Sequence, residues 1–172
     1  MEKCPYWTVN AQERLHAAQS FTEVGQIALD VLMAFPTETH GRIAQVCGPI
    51  STGGFGIDMN RKVFSRAIEL LRRNCEQVFD QMPLESAISR LSTEWRMHPH
   101  NQGEYCWPIL HDIYQHLFAS GSIGVLIVLP GAAGSTGTRW EQNQGRILGM
   151  TIKDYPDYLY QQILEEHGLV SA

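Results

Sequence analysis

A chain of 172 residues, 44% hydrophobic and 18% charged, has the length of one domain and enough apolar material for a core, which excludes wholesale disorder. Thirteen Lys and Arg against eighteen Asp and Glu leave a formal charge of -5 with the histidines neutral, so the basic surplus that binds a phosphate polymer is missing and no nucleic acid partner is expected. The longest apolar stretch, Ile123 to Leu129, is far short of the roughly 20 residues of a membrane helix, and the N-terminus mixes charged and polar residues where a signal peptide needs an apolar block; a soluble, cytoplasmic protein with no membrane contact is expected.

Residues 1–41 read as an N-terminal helical extension and 42–172 as an α/β domain. Within the extension, Ser20-Phe-Thr-Glu23 fits a capping box, and Val24, Ile27, Ala28, Val31, Leu32 and Phe35 recur at helical spacing until Pro36. Ile43 to Ile50 is β-prone and stops at Gly48-Pro49, ahead of the loop Ser51-Thr52-Gly53-Gly54-Phe55-Gly56. From Asn60, the face Val63, Phe64, Ala67, Ile68 and Leu71 predicts a helix ending on Arg72 and Arg73. Gln77 to Asp80 is a short strand; Met82 to Glu104 is partly helical, with a loop at His98 to Gly103. Trp107, Leu110, Ile113, Tyr114, Leu117 and Phe118 predict an amphipathic helix closed by Ser120-Gly121.

Ile123 to Leu129 is apolar on both faces, as a central parallel strand covered by helices is. It runs into the loop Pro130 to Gly137, followed by a helix with Trp140, Gln144, Ile147 and Leu148, a strand over 150–153 and a last helix over about 156–166. The four cysteines, Cys4, Cys47, Cys75 and Cys106, stand 43, 28 and 31 positions apart with no CxxC pair and read as buried or free thiols. Alternating strands and helices predict a flavodoxin/Rossmann-like three-layer α/β sandwich, with a mostly parallel sheet of four to five strands and an extra N-terminal helix.

In such a sheet ligands bind beyond the carboxyl ends of the strands where the winding reverses, commonly between the first and third strands. Here those ends carry the two Gly-rich loops, CGPISTGG and LPGAAGSTG. Glycines allow close backbone approach, and Ser51, Thr52, Ser135 and Thr136 add hydroxyl donors, so a phosphate or a sugar hydroxyl is the expected guest. Neither loop matches GxGxxG or a Walker motif. Glu141, six residues after Ser135, falls near the start of the following helix, where the dipole favours its charge; an ionised carboxylate over a sugar site suits attack on an anomeric carbon. Asp112 on the preceding helix is placed to assist the nucleophile or a proton at the leaving base.

The run Val46-Cys47-Gly48-Pro49-Ile50-Ser51-Thr52-Gly53-Gly54, with Asn60 and Phe64, Asp112, Leu129-Pro130-Gly131 and Ser135-x-Gly137-x-x-x-Glu141, resembles the nucleoside 2-deoxyribosyltransferase-like superfamily, which includes 2′-deoxynucleoside 5′-phosphate N-hydrolases. The resemblance covers roughly residues 42 to 153. It implies Glu141 as nucleophile, Asp112 as its assistant, and Gly48, Pro49, Ile50, Ser51, Gly53, Gly54, Asn60, Ser135 and Gly137 around a nucleoside or nucleotide. It further implies a homodimer or higher homo-oligomer and no metal or organic cofactor.

Pro130-Gly131 with Gly137-Thr138-Arg139-Trp140-Glu141 also looks like a stretched form of the PGGxGTxxE motif of cytokinin-activating phosphoribohydrolases. A non-catalytic nucleotide-binding or sensor domain is the reading from a different class. His98-Pro-His100-x-x-x-Glu104 copies a cupin metal spacing without the β-barrel context, and Trp95, Tyr105, Trp107 and Trp140 are aromatic residues able to stack on a base.

Overall fold

Strands β1 (Ile43–Cys47), β2 (Val78–Phe79), β3 (Ile123–Val128) and β4 (Thr151–Asp154) form, among the described residues, one all-parallel four-stranded sheet in the order β2-β1-β3-β4. The computed structural model describes residues 6–74 and 77–169. Helices flank the sheet, as the alternation of elements predicts, and the winding reverses between β1 and β3. By its internal contacts the chain divides into two units, Met1–His40 with Pro83–Ser122 and Gly41–Met82 with Ile123–Ala172. Among the described residues no helix is long and apolar enough to cross a membrane.

The second unit holds the whole sheet. In parallel pairing, residues in register share a face: Ala44 with Val125 and Val46 with Ile127 on one side, Gln45 with Leu126 and Cys47 with Val128 on the other. The first face packs on α3 (Ile57–Arg73) and α7 (Asp157–Glu166) through Val63, Phe64, Ala67, Ile68, Leu159 and Ile163, each large side chain contributing about 2 kcal/mol by burial. Helix α3 begins one turn before the Asn60 start that its apolar face predicts. The buried Tyr155 phenol donates to the Ala67 carbonyl at 3.1 Å, tying the α7 approach to α3. Helix α6 (Thr136–Ile147) covers the second face, where Gly145 lies against Leu126 and Ile152.

The first unit is helical. The two helices of residues 1–40, α1 (Val9–Ala17) and α2 (Phe21–Met33), group with α4 (Glu85–Arg96), a π-helical turn at Ile109–Tyr114 and α5 (Gln115–Ala119). Ser20 caps α2 through the Glu23 amide, but the Glu23 carboxylate accepts from the amide of Gln19 rather than Ser20, so the predicted capping box closes one residue early. The helix predicted from Trp107 to Phe118 forms with Leu110, Ile113, Tyr114, Leu117 and Phe118 buried, while Trp107 stays outside it at 40% exposure. Cys47 and Cys106 are free and buried; Cys4 and Cys75 lie outside the described residues.

Candidate functional site

Both Gly-rich loops leave the sheet at its point of reversal. The base of the pair is fixed by the Leu129 amide, which donates to the Cys47 carbonyl at 2.8 Å, and by the buried Gln81 amide, which donates to the Val46 carbonyl at 2.5 Å. Beyond this the loops enclose a cavity of about 230 Å³. Pro49, Thr52, Gly53, Gly54 and Phe55 line it from the first loop, and Leu129, Pro130 and Gly131 from the second. Asn60, Val63 and Phe64 of α3 and Tyr160 of α7 complete the wall. Burial raises the pKa of the Tyr160 phenol, which stays a neutral hydroxyl.

Asn60 works on the loop itself. Its side chain is 5% exposed and its Nδ2 donates to the Ile50 carbonyl at 2.8 Å and the Gly53 carbonyl at 3.1 Å. The amide thus folds residues 50–53 back over the start of α3. Replacing Asn60→Ala removes both bonds and should cost about 2 kcal/mol, with faster amide hydrogen exchange over residues 50–54; unchanged exchange there would show that Asn60 does not pin the loop.

Glu141 sits on the other side of the sheet. It is 7% exposed, on the face of α6 that meets β1, and its Oε1 accepts from Gln45 Nε2 at 3.1 Å. The Cys47 thiol is hydrogen-bonded to the same carboxyl. Removal from water pushes the Glu141 pKa up to about 8, and the bonds from Cys47 and Gln45 offset only part of that rise. The carboxyl is therefore mostly protonated at neutral pH. This corrects the charged state expected from the helix dipole: the dipole acts within the first turn at an exposed end, whereas desolvation acts on the whole buried group. Burial, reinforced by the neighbouring carboxyl, also raises the Cys47 thiol well above its usual range.

The surroundings of Glu141 are polar and incompletely paired. Gln45 is fully buried, yet its Oε1 has no hydrogen-bond partner among the described residues, and neither has Oγ1 of Thr138, one turn before Glu141 on α6. An unpaired buried polar atom costs roughly 1–3 kcal/mol, and such atoms in a native fold call for a functional or solvent partner.

Of the residues singled out from sequence, Pro49, Thr52, Gly53, Gly54 and Asn60 meet in the cavity; Gly48, Ile50, Ser51, Ser135, Thr136, Gly137 and Glu141 are not among its lining residues. Ser135 is the N-cap of α6, its Oγ accepting from the Thr138 amide at 3.3 Å. Asp112 is half-buried in the π-helical turn of the helical unit, whereas Glu141 belongs to the sheet unit. The Asp112 carbonyl lies so near α2 that a β-carbon on Gly25 would come within 2.2 Å of it. Trp107 stacks on His111 with ring centres 5.9 Å apart. Among the described residues no group of three or more His, Cys, Asp and Glu is placed to hold a metal ion.

Gln45, Cys47, Phe55 and Tyr160 are site residues that sequence reasoning did not single out. Gln45 carried one signal: a glutamine inside the apolar run IAQVC, in phase with Cys47 on a period of two. Compared with protein-family models, with curated proteins and with solved structures, the chain matches none.

Proposed function

We propose that the protein cleaves or transfers the N-glycosidic bond of a nucleoside-type small molecule, with Glu141 as the nucleophile. The observation that carries this reading is the buried Glu141 carboxyl of α6, held by Gln45 and Cys47 of β1, the strand whose following loop walls the cavity at the sheet's point of reversal. The elevated pKa fits a group prepared for proton chemistry. Its oxygen forms a bond to the anomeric carbon as the bond to the base breaks; the electron pair goes to the base nitrogen, which takes up the proton that the carboxyl gives up. The glycosyl ester then passes to water or to a second base.

Free base released from a panel of nucleosides and nucleoside 5′-monophosphates, followed by chromatography, tests this. The wild type is expected to release base from at least one member, and Glu141→Gln to lose at least about 100-fold in rate, as removal of a nucleophile does. Equal rates in the two proteins, or no release by either, overturn the assignment.

A second reading, a nucleotide-binding module without turnover, is favoured by the absence of Glu141 from the cavity lining. It predicts thermal stabilisation by a ligand that is recovered intact.

A further inference from the structure

We propose that the helical unit has a small-molecule site of its own, a pocket between α1 and α4 that takes an organic monocarboxylate, its apolar body on the floor and its carboxylate on Arg90. The pocket owes nothing to the N-glycosidic reading, because every residue that lines it lies in the helical unit.

Its volume is about 370 Å³, within the roughly 300–1,000 Å³ of small-molecule sites. Leu15 of α1 and Ala87 of α4, both buried, floor it together with the half-buried Pro83. Around this floor stand Gln12 and His16 of α1 and Ser86 and Arg90 of α4. Each of these two pairs is four residues apart, so its members stand one turn above the other on the same helix face, with the buried Leu15 or Ala87 one position away. The result is an apolar base with a polar rim on both sides.

Arg90 is the permanent charge of the lining, and no acidic side chain is part of it. Its Nη2 donates to the carbonyls of Ala18 at 2.5 Å and His16 at 3.5 Å, which fixes the guanidinium at the end of α1. Arg14 and Arg66 meet carboxylates at 2.7 to 2.9 Å. Glu94, by contrast, stands 3.8 Å from Nη1 of Arg90, beyond hydrogen-bond reach, with its own side chain 57% exposed, and a pair of that kind contributes little. The guanidinium is thus pinned by neutral carbonyls and has, among the described residues, no carboxylate within hydrogen-bond distance.

A carboxylate guest supplies that missing charge-assisted bond, and at low entropic cost because the guanidinium is already immobilised. One guanidinium balances a monoanion, whereas a phosphate dianion would keep an uncompensated charge on leaving water. The His16 ring and the Ser86 hydroxyl, which have no hydrogen-bond partner among the described residues, are polar groups open to the guest at the rim. An inorganic anion gains nothing from Leu15, Pro83 and Ala87; a carboxylate that carries a ring or a short alkyl chain covers them and takes their surface out of water.

The test is calorimetric titration of the full chain with benzoate, phenylacetate and hexanoate, with the three corresponding amides, and with inorganic phosphate. The proteins are wild type, Arg90→Gln, Arg90→Lys and Ser86→Phe. At least one carboxylate is expected to bind wild type in a one-to-one ratio and at least about ten-fold tighter than its own amide, as one charge-assisted hydrogen bond allows. The same carboxylate should bind Arg90→Gln at least about ten-fold more weakly than wild type, with Arg90→Lys, which keeps the charge without the planar fork, in between. Because Arg90 also holds the end of α1, a second variant separates binding from folding: Ser86→Phe leaves Arg90 in place, fills the pocket from an exposed position, and should abolish binding while its circular dichroism matches that of wild type. Failure of every carboxylate to bind, an amide that binds as tightly as its acid, or displacement of the carboxylate by phosphate each overturns the proposal. So does unchanged binding by Ser86→Phe or by Arg90→Gln.

Discussion

Raising the pH from 5 to 8 should destabilise the wild-type protein, relative to Glu141→Gln, by about 3–4 kcal/mol. The unfolded carboxyl titrates near its usual 4.5 and the folded one near 8. Between those values the folded state binds the extra proton, so the stabilising contribution is complete below about 4.5 and is lost as the pH climbs towards 8, at about 1.4 kcal/mol per pH unit. Asp80, whose carboxyl burial also raises, contributes in the same direction, but it is common to both proteins and cancels in their difference. Glutamine keeps the shape and hydrogen-bonding capacity at 141 without a titrating proton. Urea unfolding of both proteins at several pH values reads the effect, and parallel stability profiles would show that Glu141 is not held neutral by burial.

Gly124→Ala should cost about 3 kcal/mol or more, near the top of the range for single substitutions. On β3, Gly124 is the residue left over where the pairing with β1 slips between Ile43 and Ala44, a bulge in the ladder. A β-carbon there would stand 1.7 Å from the Gly41 carbonyl oxygen and 2.4 Å from its carbon. Both are backbone atoms, so no side chain can swing aside, and the approach of the Gly41 turn to β3 must open. Gly134→Ala is the control: a β-carbon there meets nothing within 4 Å, and its effect should be within about 0.5 kcal/mol. Equal urea midpoints for the two variants would mean that the 41–124 contact does not form as described.

These two effects mark where sequence reading succeeds and where it stops. Helix α3 was legible because six buried side chains between Val63 and Leu71 repeat on one face, and β3 because Ile123 to Leu129 is apolar throughout. Together with the alternation of elements they lead to the parallel sheet and to its reversal between β1 and β3. Helix α1 was not legible, since only Ala11 and Leu15 of its nine residues are buried and so narrow a stripe leaves no periodic signal. The π-helical turn carrying Asp112 is likewise invisible, because its sequence has the same apolar spacing as an α-helix.

At the site, the loops were legible from their glycines, and Glu141 from its position after Ser135. Its protonation was not, because it depends on burial against Gln45 and Cys47, 96 and 94 residues earlier in the chain. The same holds for the aromatic wall: Phe55 and Tyr160 are brought to one cavity by the packing of α7 on α3, and neither has a local signature.

Mass spectrometry of the wild-type protein quenched with acid during reaction with a cleavable nucleoside tests the central claim most directly. The account predicts one added glycosyl group, mapped by peptide digestion to Glu141 and missing from Glu141→Gln. A glycosyl group on another residue, or base release that persists in Glu141→Gln, would contradict it.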